Sequence, residues 1–235
     1  MSDTARLSPH ATLNLMLGLI LALLCFDLVT QDATAILFKE GHAFETASAL
    51  ILGAVAGFWY YAGADDMKGR QWHLPVILVL MALRELDFDK RFTSLGVLKL
   101  RLYTEPGPLW EKAVGLAVIA LILFCGWRLL VITVPRWWAG MRAGRTDSQL
   151  AAAAALMLVL SKLLDGLDRK LAGFGIALPA DLGQMSGRIE EMLELGVAIM
   201  LMQALVCFLR DRCVNRAPVR YRAAPTVPAP CARSR

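Results

Sequence analysis

Three short stretches of the chain carry acids and bases within or beside long apolar runs. Residues 84–91 include Arg84, Glu85, Asp87, Asp89, Lys90 and Arg91; residues 162–170 include Lys162, Asp165, Asp168, Arg169 and Lys170; residues 188–194 include Arg188, Glu190, Glu191 and Glu194. At 100° per residue, Arg84, Asp87 and Arg91 share one helical stripe, so Asp87 has a cation at i−3 and another at i+4 and is expected to pair. Lys162, Asp165 and Arg169 form a second self-paired stripe, with Asp168 to one side. Glu85 and Asp89 fall on a stripe without a base, and Glu190, Glu191 and Glu194 share a 100° arc without one.

Leftover carboxylates of this kind have three chemical uses. They can pair with bases on other helices and hold a bundle together. They can bind a hard divalent cation such as magnesium, calcium or manganese. Because crowded carboxylates cannot all ionise, they can also share protons, as a proton relay or a general acid requires. The candidate cation or proton site is therefore Glu85, Asp89, Asp168, Glu190, Glu191 and Glu194. The charge-pair partners are Arg84, Asp87, Arg91, Lys162, Asp165 and Arg169. No residue is assigned a catalytic role.

The elements that must position these residues are membrane helices. Hydrophobic residues make up 57% of the 235 and charged residues 19%, and the mean hydropathy is +0.53. A soluble domain carries nearer a quarter charged residues. Runs close to the roughly 20 residues needed to cross a bilayer occur near 11–31, 45–63, 74–93, 112–134, 149–169 and 190–210. The expected fold is an all-α polytopic bundle of six transmembrane helices over residues 1–210, with a disordered basic, Pro-rich tail over 211–235. An Ala-Thr-Ala sequence at 33–35 resembles a signal-peptidase site, but Asp27 interrupts the preceding run, so the first helix is expected to be retained.

Charge orients the bundle. Arg6, Lys68, Arg70, Arg136, Arg142, Arg145 and the tail arginines fall on one side, together with only Asp3, Asp65, Asp66, Asp147 and Asp211 among the acids. By the positive-inside rule both termini are cytoplasmic, which suits a bacterial inner membrane. Trp59, Tyr60, Tyr61, Trp72, Trp127, Trp137 and Trp138 would form the inner aromatic belt. At about 1.5 Å per residue from the inner helix ends, Arg84 lies about 15 Å deep, Lys162 about 20 Å and Glu194 about 24 Å. Asp27 reaches a similar level. One charge near a helix centre costs roughly 2.5–3.5 kcal/mol, so such a cluster must face inward, pair, or line water.

Residues 96–104, with Lys99 and Arg101 alternating with leucines, suit a segment lying at the membrane surface or a short strand. Pro108 suits the first turn of the fourth span, and Pro135 should close it. Gly53 and Gly57 form a GxxxG pair, the pattern of close helix packing.

Several chemistries are excluded. The five cysteines make no CxxC pair, and three lie in apolar runs as packing residues. Basic residues interleaved with aromatics on a folded face are lacking, so nucleic acid is not a partner. Asp165-Gly166-Leu167-Asp168-Arg169 resembles the opening of the CDP-alcohol phosphotransferase signature, but the arginine comes one position early and the later aspartate pair is missing. His10, His42 and His73 are too scattered for the His-ligated zinc of the alkaline ceramidase-like hydrolases.

The first functional expectation is a small transporter or an ion- or proton-coupled membrane protein, its acid-rich site open to the outer side. The alternatives are a carboxylate-metal enzyme acting on lipid or isoprenoid substrates, and a structural protein with a salt-bridge network. Expected partners are the lipid bilayer, anionic headgroups at the basic tail, and further copies of the chain.

Overall fold

The computed structural model describes residues 8–30, 43–63, 65–88, 96–175 and 179–216. The elements are α1 (Pro9–Thr30), α2 (Ala43–Ala62), α3 (Asp65–Gln71), α4 (His73–Glu85), α5 (Arg101–Thr104), α6 (Leu109–Arg128), a π-turn (Leu129–Thr133), α7 (Val134–Arg142), α8 (Thr146–Leu164), α9 (Leu167–Ala172) and α10 (Ala180–Arg216). No strand occurs among the described residues.

Local sequence explains where these helices begin and end. The Ser8 hydroxyl accepts a bond from the Ala11 N–H at 3.1 Å ahead of Pro9, a capping serine followed by proline in the first turn. Gly166 takes φ 58°, the left-handed region that glycine enters without penalty, and it separates α8 from α9. Within the 96–104 segment residues 101–104 form the short helix α5, preceded by turns in which Leu98 and Leu100 are exposed.

The apolar faces require lipid. Only 11% of the Pro9–Phe26 window and 6% of an 18-residue window within Leu109–Arg142 is buried within the protein. Leu15, Leu109 and Leu123 are 73%, 83% and 67% exposed. Contiguous apolar surface on this scale is not sustained in water, so the protein is membrane-embedded. Four described helical stretches are long and apolar enough to cross: Pro9–Phe26, Leu109–Arg142, Thr146–Leu164 and Met185–Arg212.

The expected count of six is not confirmed among the described residues. α2 has the length, with 20 residues, but Glu45, Thr46 and Ser48 dilute one end of it and Trp59, Tyr60 and Tyr61 the other. α4 has only 13 residues, about 20 Å of helix against a hydrocarbon core of about 30 Å. It stops at Glu85, and Asp87 turns the chain at φ 47°, so the 74–93 run is not one helix. The 149–169 run likewise ends as a helix at Leu164.

Pro135 does not close the fourth expected span. Its ring would collide with the carbonyl one turn back, and it offers no N–H. The widened turn at Leu129–Thr133 absorbs this conflict, and the helix runs on to Arg142.

The core joins four helices. Met16, Ala47, Ile51, Leu52, Val55, Trp59, Ala82, Leu195, Ala198 and Leu205 form one buried cluster from α1, α2, α4 and α10. α10 packs along α8 and α2. The approach to α8 is close at Gly196, where Met157 occupies the space of a β-carbon. Gln203 donates to the Thr12 hydroxyl at 3.4 Å, a buried polar tie between α10 and α1. Trp59 was expected in the aromatic belt; it is instead buried and stacks on Phe208 at 6.0 Å. Tyr60, Tyr61, Trp127 and Trp138 are exposed as a belt requires.

Candidate functional site

The site lies where α4 and α8 end against the middle of α10. The i, i+4 spacing puts Glu190 and Glu194 on one face of α10, and α10 packs along α8, which carries Ser161 and Lys162 in its last turn. The Lys162 ammonium donates to Glu194 Oε1 at 2.6 Å and reaches Glu190 Oε1 at 3.5 Å. Ser161 is fully buried, and its hydroxyl donates to the same Glu194 oxygen at 3.1 Å. One carboxylate oxygen thus accepts from both a cation and a hydroxyl.

The last turn of α4 completes the group. The Glu85 carboxyl lies near enough to Glu194 for the two to interact electrostatically, with Arg84 and Lys162 as neighbouring positive charges. Asp165, just past the end of α8, adds a negative charge near Glu190 and faces Arg169 across 4.0 Å. The Lys170 ammonium donates to the Lys162 carbonyl at 2.9 Å, satisfying a carbonyl freed by the end of α8. Glu190 and Glu194 therefore hold Lys162, with Glu85 as a neighbouring charge.

The other expected residues take different places. Asp168 is exposed on α9, and its Cβ lies beside Gly183. Glu191 is half-buried on α10, one position from Glu190. Asp87 sits exposed in the turn after α4, and Arg84 is exposed. Asp89 and Arg91 lie outside the described residues, as do Lys90, His42 and the tail beyond Arg216; Asp27 falls on α1, with only its backbone described. Among the described residues no group of three His, Cys, Asp or Glu side chains is arranged to hold a metal ion. The carboxylates that converge do so on an ammonium.

Ser161 completes the acceptor geometry and was missed as a site residue. Its signal in the sequence was only its place next to Lys162. A second buried polar contact lies at the opposite end of α4. His73 is fully buried and shares a 2.9 Å hydrogen bond between Nε2 and the Thr133 hydroxyl, in the π-turn.

Fold and site together define a helical membrane protein with a lysine–carboxylate cluster at the ends of two helices. No family model, curated protein or solved structure matches the chain.

Proposed function

We propose that this chain is a small proton-coupled membrane protein, in the manner of a transporter, whose Glu85, Glu194, Glu190 and Lys162 side chains exchange a proton between membrane and water. The observation that carries this reading is the approach of the Glu85 and Glu194 carboxyls beside Lys162. Carboxyl groups crowded beside one another resist double ionisation, which favours a proton or a cation between them, and a nearby lysine that reaches both Glu194 and Glu190 supplies an alternative partner when the proton leaves. Glu85 also sits in the last turn of α4, the negative end of the helix dipole, where a carboxylate costs about 0.3–1 kcal/mol. Local rules are broken in this way chiefly where function requires it.

In the proposed orientation both termini are cytoplasmic, in a bacterial inner membrane, and the cluster opens to the outer side. Lys68, Arg70, Arg136, Arg142 and Arg145 then mark the cytoplasmic face. Copies of the chain associate to complete a pathway that one small bundle does not enclose.

A purely structural role is the second reading, favoured by the short Lys162–Glu194 contact. Proteoliposomes loaded with a pH-sensitive dye separate the two under an imposed potassium-diffusion potential. The proton-coupled reading expects potential-driven acidification that falls at least tenfold in Glu85→Gln while the protein stays folded. Absence of proton movement in the wild type, or its persistence in Glu85→Gln, overturns that reading in favour of the structural one.

A further inference from the structure

The start of α4 carries a polar junction that the acid cluster, at the other end of the same helix, does not use. His73 is fully buried, and its Nε2 shares a 2.9 Å hydrogen bond with the Thr133 hydroxyl in the π-turn. Just before the π-turn, Arg128 Nη2 donates to the Arg70 carbonyl at 2.9 Å, and its guanidinium lies over the Trp72 ring at 5.4 Å. Trp72 in turn stacks on Phe124 at 6.0 Å. Arg70, Trp72 and His73 thus grip the α6–α7 rod where its helix is widened, and a π-turn is a place where helices bend.

The junction is held incompletely. Gln71 Oε1, His73 Nδ1 and Arg128 Nε are buried without a hydrogen-bond partner among the described residues. Water would satisfy each of them if the rod drew back from α4, so the closed junction forgoes bonds that an open one makes. The ends of the rod are secured elsewhere. Lys112 Nζ donates to the Glu105 carbonyl at 2.8 Å, and Trp137 Nε1 donates to the Ser148 carbonyl at 2.8 Å. The middle of the rod can therefore swing about the π-turn while both ends stay in place.

We infer that His73 is an acid-sensitive latch: neutral, it holds the π-turn against α4, and protonated, it drives the middle of the rod away. His73 belongs to α4 and Arg128 to the rod, so a proton on the ring sets two like charges against each other across the junction. In either tautomer the added proton brings a charge that Arg128 opposes. The surrounding groups supply no counter-charge. Lys68 and Arg70 on α3 are basic, Tyr60 and Tyr61 on α2 are exposed, and Cys125 on α6 is a buried thiol. Among the described side chains no carboxylate acts on the ring; burial and Arg128 hold its proton affinity below the usual imidazole range. The closed junction is therefore fully favoured at neutral pH and is lost as pH falls through that lowered value. The inference is independent of the proton-coupled reading, whose cluster lies at the far end of α4.

Cys125 is a built-in reporter, because it is fully buried on α6, the helix that packs on α4 here, while Cys25 is exposed. The full chain in detergent is treated with 4,4′-dithiodipyridine, a reagent that still attacks thiols in acid, and modification at each cysteine is read by peptide mass spectrometry. The ratio of Cys125 to Cys25 modification cancels the pH dependence of the reagent. Between about pH 7.5 and about pH 4.5, a range that spans the ordinary imidazole value and the region below it, the ratio should rise at least tenfold in the wild type. His73→Gln keeps a donor for Thr133 and cannot gain a proton, so its Cys125 should stay protected throughout. Should His73→Gln fail to fold, Thr133→Val removes the bond from the other side and should make Cys125 about tenfold more reactive already at neutral pH. A flat ratio in the wild type overturns the inference. So does an acid rise in His73→Gln equal to that of the wild type, or, where Thr133→Val replaces it, a Cys125 that is as protected at neutral pH as in the wild type.

Discussion

Replacing Lys162 with methionine removes the ammonium at the centre of the site while leaving most of its apolar stem. The 3.5 Å contact with Glu190 is at the limit of hydrogen bonding and contributes little. The 2.6 Å contact with Glu194 is a charge-assisted bond, a type worth roughly 1.5–3 kcal/mol. The Lys162 side chain is 31% exposed and that of Glu194 15% exposed, so water weakens the attraction and the lower end of the range applies. A loss of about 1.5–2 kcal/mol is expected, and for a chain of this size each kcal/mol moves the melting temperature about 2–4 °C. Lys162→Met should therefore melt roughly 3–8 °C below the wild type. Unfolding followed by tryptophan fluorescence in detergent reads this directly. The decisive comparison adds Glu194→Gln and the double variant. If the two side chains act on each other, the double loss falls short of the sum of the single losses by about 1 kcal/mol. Losses that add to within about 0.3–0.5 kcal/mol would refute the reasoning, as would a Lys162→Met protein that melts with the wild type.

Other outcomes follow from the same geometry. Ser161→Ala removes a buried donor to Glu194 and should cost about 1–2 kcal/mol by the same melting assay. A short bifunctional thiol cross-linker should join Glu85→Cys to Glu194→Cys in one chain, and should not join Asp168→Cys to Glu194→Cys. Asp168 lies beside Gly183, eleven residues and about 16 Å back along α10. Gly196→Val intrudes on Met157 and should destabilise by about 1–3 kcal/mol. Met157→Ala in the same chain should recover part of that loss, because the two share one space.

Much of the bundle was legible because its signal is local. Length and continuity of apolar residues mark α1, the α6–α7 rod, α8 and most of α10 without reference to anything outside each run. Helix ends were less legible, since each depends on a conflict resolved in three dimensions. The run through 84–93 reads as helix by periodicity, yet the chain turns at Asp87 with a positive φ. Gly166 reads as a tolerated glycine inside a span, yet it ends α8. Pro135 reads as a stop, yet a π-turn lets the helix continue. Within the site, the 100° arc holding Glu190, Glu191 and Glu194 was visible, but not which of the three would meet Lys162. That depends on the rotation of α10 against α8, fixed by contacts such as Gly196 with Met157. The approach of Glu85 to Glu194 was an assumption for the same reason. Sequence spacing relates residues on one helix and says nothing of which helices are neighbours.

The shortness of α4 explains why the charges gather where they do. A helix of about 20 Å cannot carry its backbone across a hydrocarbon core of about 30 Å, so one of its ends must meet polar surroundings within the thickness of the bundle. At the Trp59 end, α4 begins among aromatic side chains and the buried His73–Thr133 contact. At the other end it stops at Glu85, at the level where α8 also stops at Leu164. Two helix C-termini at one level leave carbonyls that need donors, and lysine is suited to that place because its charge opposes the negative ends of both dipoles. Lys162 sits in the last turn of α8, and Lys170 reaches back to the Lys162 carbonyl. Cations recruited to two helix ends in turn favour carboxylates opposite them, and α10, which runs on past this level, supplies Glu190 and Glu194. Glu85 is the member that this account does not require, since a carboxylate at the end of α4 works against the local dipole. It is therefore the side chain whose removal best separates a proton-handling cluster from a set of ion pairs that merely closes the end of the bundle.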